Sequence, residues 1–285
     1  MPKIALIIVL YNPNEEEVRS NISSYTDAVD LIITIDNSEI SKHTLSNNNK
    51  TIHIRNNNNL GIAKALNQGI KKAIEEKYRY VVLMDQDSLF FNASKAIPEL
   101  FYALKDKEKN FMASSLIINA GIAPTPNKSR LTYVESCITS GTMIDLSMTE
   151  VIGLHDEKLF IDYVDFEYCL RAKNLGYEIV KANYSTLKHQ IGDSKKSSLW
   201  FFPWYKTYTT NHSPIRRYYR WRNALYIWDK YKSTHPKWVR KNKKQTFSDL
   251  KKIILFEENK IQKIKAIYLA LIDAKKGIYG KRDFL

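Results

Sequence analysis

Ile4-Ala5-Leu6-Ile7-Ile8-Val9-Leu10, followed by Tyr11-Asn12-Pro13, is an unbroken apolar run that closes on a polar turn. A run rich in β-branched residues, with no polar alternation, describes a strand buried on both faces inside a parallel sheet. The chain repeats the theme. Residues 31–35 form a second apolar strand ending at Asp36-Asn37-Ser38, residues 51–55 a short third, and residues 80–84 a fourth ending at Asp85-Gln86-Asp87-Ser88. Helices are expected between them. One covers 15–25, entered through Asn12-Pro13-Asn14 with acids in its first turn. Another covers 62–76, with Ile62, Leu66, Ile70 and Ile74 at i+4 spacing. A helix over 93–105, a strand over 112–118 and a Pro-bearing loop over 121–127 continue the series. Such alternation implies a Rossmann-like, mostly parallel α/β sheet flanked by helices, with ligands at the carboxyl ends of its strands. Tyr11, Asn12, Asp36, Asp85 and Asp87 all fall on that edge.

Composition agrees with this. The 285 residues are 44% hydrophobic and 26% charged, with 9 Gly and 8 Pro, which allows a real core and excludes disordered and fibrous classes. Two cysteines, Cys137 and Cys169, cannot build a disulfide framework and point to a reducing, cytoplasmic setting. The longest strongly apolar run, from Ile4 to Tyr11, is far short of the roughly 20 residues that a helical span requires. It has no small-residue cleavage site after it, so it does not read as a secretory signal.

Charge divides the chain. Residues 1–212 hold 24 basic and 24 acidic side chains, whereas 213–285 hold 20 basic and 6 acidic ones, which accounts for the net +14. All five tryptophans lie between 200 and 238. The expected organisation is a neutral domain over 1–212 and a basic, aromatic-rich helical extension over 213–285. Within the extension a helix opens at Pro214 and runs to about 232. A last one covers 249–276, with Ser248 as its cap, Gly277 as its stop and Ile261, Ile264, Tyr268 and Leu271 on one stripe. Basic and aromatic residues together suit an anionic membrane surface, on its inner face. They also suit nucleic acid, although no recognition motif for it is present. The stripe's other reading is simple packing on the first domain.

Three groups carry chemistry. Asp85 and Asp87, one residue apart at a strand end, can turn toward a hard divalent cation such as Mg²⁺ or Mn²⁺ that bridges diphosphate oxygens. The alternative is a polar turn. Asp162, Asp165 and Glu167 place three carboxylates within six residues at a helix start. Capping accounts for one of them, not all. His189 is a borderline metal ligand by chemistry, or a structural histidine.

The ordered set IVLYNP (8–13), TIDNSE (34–39), NLGIAKALNQGI (59–70), MDQDS (84–88), TSGTMI (139–144), FIDYVDFEYCLR (160–171), HQIGD (189–193) and SPIRRYYRWRN (213–223) resembles the family 2, inverting, GT-A-fold glycosyltransferases. It is most similar to the bacterial rhamnosyltransferase subgroup. The resemblance covers roughly 3–225. It implies that Tyr11 and Asn12 line the nucleotide pocket, that Asp36 receives the base, and that Asn59, Gly61 and Lys64 border the donor. It further implies that Asp85 faces the ribose and metal, that Asp87 and His189 bind the metal, and that Asp165 is the catalytic base. Where the family often has Glu-Asp, this chain has Val164-Asp165, which leaves Asp162 and Glu167 as acceptor-side candidates. The implied partners are a dTDP- or UDP-linked sugar and a glycan or lipid-linked acceptor of bacterial surface-polysaccharide synthesis. L-rhamnose is the expected sugar; galactofuranose, galactose and glucose are the alternatives. Three other classes use some of the same residues: a two-carboxylate glycoside hydrolase, a metal-dependent nucleotidyltransferase and a basic nucleic-acid-binding protein.

Overall fold

Every residue of the first strand, β1 (Ile4–Leu10), is buried, as a both-faces-covered strand requires. The computed structural model describes residues 1–40, 45, 48–118, 129–189, 195–199 and 202–283, with the backbone alone over 195–199 and 202–208. The expected 121–127 loop and the 190–193 part of the HQIGD segment lie outside the described residues. After β1 come α1 (Glu15–Tyr25), β2 (Leu31–Asp36), β3 (Thr51–Arg55), α2 (Ile62–Glu75) and β4 (Tyr80–Asp85). Then follow β5 (Leu89–Phe90), α3 (Ala93–Lys105), β6 (Asn110–Ile118), β7 (Leu131–Val134), β8 (Thr142–Asp145), α4 (Thr149–Ile152), α5 (Val164–Asn174) and β9 (Glu178–Lys188).

These strands make one mixed sheet in the order β3-β2-β1-β4-β8-β6-β9-β5, with β7 also paired to β9. β1 to β4 are parallel, as are β6 and β9; β8 lies antiparallel between β4 and β6. The parallel register sets Asp36 beside Leu10 and Asp85 beside Val9, so both carboxylates flank the exit of β1. On one side α2 packs close. A methyl added at Gly69 would stand 2.5 Å from Ile7 Cγ2, so the helix reaches β1 only because residue 69 has no side chain.

The chain divides into two compact units: Met1–Glu157 with Val164–His189, and Lys158–Tyr163 with Gln190–Leu285. The second contains the antiparallel pair β10 (Lys195–Leu199) and β11 (Phe202–Thr209), then α6 (Pro214–Tyr231), α7 (Pro236–Phe256) and α8 (Lys260–Lys276). Tyr218, Tyr219 and Trp221 of α6 form its core with Phe160, Ile253, Ile267 and Ala270. Segment 158–163 belongs here because Asn223 donates to the carbonyls of Leu159, Ile161 and Asp162 at 2.6, 2.8 and 3.0 Å.

Two expectations about this unit need correction. The single helix over 249–276 is two helices, and Ser248 lies inside α7 rather than capping anything. The break falls where Glu257 takes an extended conformation and turns inward between Arg217 and Lys263, after which Asn259 is left-handed. The stripe Ile261, Ile264, Tyr268 and Leu271 is exposed and lies outside this unit's core. The inward face of α8 is Lys263, Ile267, Ala270 and Asp273. Gly277 does end the helix, in the left-handed region.

Candidate active site

The site grows from strand ends in the first unit. Residues leaving β1, β2 and β4 have no further ladder partners, so their side chains and turn amides bond to one another instead. Gln86 accepts from the Tyr11 amide at 2.7 Å and donates to the Tyr11 carbonyl at 3.2 Å. The Asn12 amide donates to Ser38 Oγ at 2.8 Å, and the Ser38 amide to Asp36 Oδ1 at 2.9 Å. Asn37 donates to the Gly61 carbonyl, and the Gly61 amide to Asn59 Oδ1. Tyr11, Asn12, Asp36, Asn59 and Gly61 therefore sit in one bonded series of loops. Lys64 lies exposed in the first turn of α2.

Asp85, Asp87 and His189 come together. Each offers a ligand atom within 4.8 Å of the other two. Sequence separation makes this a product of topology: β5 pairs Leu89 and Phe90 with Lys188 and Leu187, which draws the end of β9 back to the loop after β4. Ser88, buried, then bonds His189 Nδ1 at 2.7 Å, while its carbonyl accepts from Tyr25 Oη. With Nδ1 engaged by the hydroxyl, Nε2 is the ring nitrogen left to ligate a cation. Two carboxylates and one imidazole, oriented by an outer hydroxyl, fit a divalent ion that accepts both oxygen and nitrogen, Mn²⁺ in particular.

Asp165 is the second residue of α5 and half-buried; its Oδ1 accepts from the Phe166 amide at 2.8 Å. A carboxylate in a first turn complements the positive end of the helix. Two ring contacts of Tyr168 help hold α5 in place. Tyr168 meets Phe111 of β6 edge-on at 5.3 Å and lies 4.1 Å from the ring of His155, whose backbone is bonded to Asn67 of α2. Burial, with Arg171 close by, pushes the His155 imidazole down to about 3, so it is neutral.

The two acceptor-side candidates are placed differently. Glu167 is wholly buried and ion-paired to Arg171 at 2.8 Å, and Arg171 also donates to the carbonyls of Ile152 and Leu154. It braces α5 and offers no surface to an acceptor. Asp162 belongs to the second unit, where its carboxylate faces Arg216 at 3.4 Å. Sequence reasoning missed Gln86 and Ser88. Their only sequence signal is position between and after the two aspartates.

Residues 5–156 match the model of Glycosyl transferase family 2. The dTDP-rhamnosyl transferase RfbF of Shigella flexneri is 31% identical over 97% of both chains. The chain belongs to glycosyl transferase family 2. This glycosyltransferase is also 26% identical to the low-salt glycan biosynthesis hexosyltransferase Agl10 of Haloferax volcanii, over 59% of this chain and 61% of the relative. Two solved structures share its fold. GalNAc-T7 with UDP, GalNAc and Mn²⁺ has a TM-score of 0.53 at 15% identity, over 66% of this chain and 44% of that one. TarS of S. aureus has a TM-score of 0.50 at 12% identity, over 94% and 43%. The GT-A-like architecture expected from the sequence is therefore the fold found. No helix among the described residues is long and apolar enough to cross a membrane.

Proposed function

We propose that this glycosyltransferase moves L-rhamnose from a dTDP-linked donor to a glycan or lipid-linked acceptor of bacterial surface-polysaccharide synthesis, with inversion. The observation that carries the donor reading is the identity to a dTDP-rhamnosyl transferase along nearly the whole of both chains. Tyr11, Asn12 and Asp36 receive the nucleoside; a carboxylate at 36 suits the imide N–H of thymine or uracil. Asn59, Gly61 and Lys64 border the donor, and Asp85 faces its ribose. Asp85, Asp87 and His189 would hold Mn²⁺ or Mg²⁺, which would supply positive charge beside the departing diphosphate. Asp165 takes the proton of the acceptor hydroxyl as its oxygen attacks the anomeric carbon from the face opposite the leaving group. General-base assistance of this kind is worth about 10²–10⁴-fold.

The test combines binding and turnover. With Mn²⁺ present, dTDP-rhamnose should raise the melting temperature more than UDP-galactose or UDP-glucose does. Asp165→Asn should keep that shift while transfer falls by about 10²–10⁴-fold. Full transfer by the variant would remove Asp165 from the mechanism. A larger shift with a UDP-hexose would favour the second reading, transfer of another hexose by the same chemistry, which the match to a hexosyltransferase supports.

A further inference from the structure

The second unit sorts its charges by sign. Of the twelve basic residues between Pro236 and Lys276, ten are exposed. Of the four acids in the same span only Glu258 is exposed. Glu257 is buried between Arg217 and Lys263, Asp273 is buried against the Tyr218 hydroxyl, and Asp249 faces Arg220 at 3.3 Å. The exposed side chains of this span thus carry ten positive charges against one negative, because three of its four carboxylates are turned away from solvent.

Apolar side chains share that surface. Ile261, Ile264, Tyr268 and Leu271 recur at three- and four-residue steps, which is one face of α8, and Lys275 continues the series. Ile261 is 73% and Tyr268 65% exposed. Ile254 and Leu255, at the end of α7, are half exposed as well. Lys260 and Lys265 stand at the borders of the stripe on the helical wheel. An exposed contiguous apolar patch rimmed by charge marks an interaction surface.

The chemistry of the patch selects among occupants. Nucleic acid would use the cations but not four aliphatic or aromatic groups on one helical face. A second copy would bring its own excess of positive charge to the same contact, and like charges repel. A bilayer bearing anionic lipids satisfies both parts: the lysines meet its negative surface potential while the aliphatic groups enter the headgroup–acyl boundary with Tyr268 at the interface. We infer that α7 and α8 dock this protein on an anionic membrane surface, with the Ile261–Leu271 face of α8 lying in the interface plane. This goes beyond the sugar-transfer reading and does not rest on it, since binding is measured without donor or acceptor.

The experiment uses the full chain and sucrose-loaded vesicles of phosphatidylcholine, with or without about 30 mol% phosphatidylglycerol. At about 0.1 M salt the anionic vesicles should bind at least roughly tenfold more tightly than neutral ones, and about 0.5 M salt should remove most of the difference. Replacing Ile261, Ile264, Tyr268 and Leu271 together by Ser should weaken binding about tenfold or more at low salt. All four are exposed, so circular dichroism should be unchanged. Replacing Lys260, Lys265 and Lys276 by Gln should cost about a hundredfold, each lysine near such a surface contributing about fivefold. Equal binding to both vesicle types, or binding untouched by the four serines, would overturn the inference. So would tighter binding to a short DNA duplex than to the vesicles, or a dimer in sedimentation that the four serines abolish. Because transfer to a soluble acceptor should survive the serine variant, failure here and failure of the proposed activity are distinguishable.

Discussion

Removing one hydroxyl tests whether the Asp85–Asp87–His189 group is a cation site. Ser88 is buried, and its Oγ is 2.7 Å from His189 Nδ1. In the tautomer that donates Nδ1–H to that oxygen, Nε2 keeps its lone pair for a cation. In Ser88→Ala the ring loses the partner that fixes both its tautomer and its rotation. Outer hydrogen bonds of this kind are worth about 10–100-fold in metal affinity, or roughly 1.4–2.7 kcal/mol. The fold should suffer little, because the Ser88 carbonyl still accepts from Tyr25 Oη and one lost side-chain hydrogen bond costs about 1 kcal/mol. In a Mn²⁺ titration of transfer, half-saturation should therefore move up about 10–100-fold. The rate at saturating Mn²⁺ should recover to within about threefold, and Ser88→Thr should restore the original curve. A Ser88→Ala enzyme with an unmoved Mn²⁺ curve, beside a His189→Ala enzyme whose curve does move, would refute the positioning argument. If neither moved, the cation reading of all three residues would go with it.

Three more outcomes follow from the scaffold. Glu167→Ala should lower stability by about 3 kcal/mol, the low end for breaking a buried pair, because Arg171 keeps its two carbonyl partners. Acceptor KM should stay unchanged in the protein that remains folded, and a raised KM would return Glu167 to the acceptor side. His155 concerns pH: its folded value is depressed to about 3, so the unfolded chain binds the extra proton below its own value of 6.5. Stability from this group is complete above that value and falls as pH drops toward 3, by about 1.4 kcal/mol per unit. His155→Phe should flatten urea-derived stability between about pH 6 and 4 by nearly one proton; parallel curves for the two proteins would show that the buried imidazole is not responsible. Gly69→Ala should destabilise by about 1–3 kcal/mol, since the gain in helix propensity is smaller than the clash with Ile7. A raised melting temperature would contradict the close approach of α2 to β1.

The parallel half of the sheet was legible because burial on both faces leaves an unmistakable mark. Ile4–Leu10 and residues 31–35 and 80–84 are apolar but for Thr34 and the Tyr80 hydroxyl, and the acids that end the latter two are turned to one edge by strand direction alone. β9 carried no such mark. Glu178–Lys188 mixes Lys181, Asn183, Ser185 and Thr186 into the strand, and its pairing with β6 shifts register between Ser115 and Leu116. β7 and β8, four residues each, are too short for any period to declare itself. In the candidate site the acids could be read, whereas their supports could not. Gln86 meets Tyr11 across 75 positions and Ser88 meets His189 across 101, distances set by the assembled sheet. The long C-terminal helix failed for a related reason: Glu257 turns inward only when Arg217, 40 residues earlier, is there to meet it.

Gln86 has a mechanical consequence. By giving and taking one hydrogen bond at the same residue, its side-chain amide adds a rung to the sheet beyond the point where β1 and β4 end. The tyrosine turn and the aspartate turn are thereby yoked: a displacement of either drags the other. Settling a guest against one of them pre-pays part of the ordering that the next guest needs at its neighbour, so the two occupancies should favour each other with no change in overall shape.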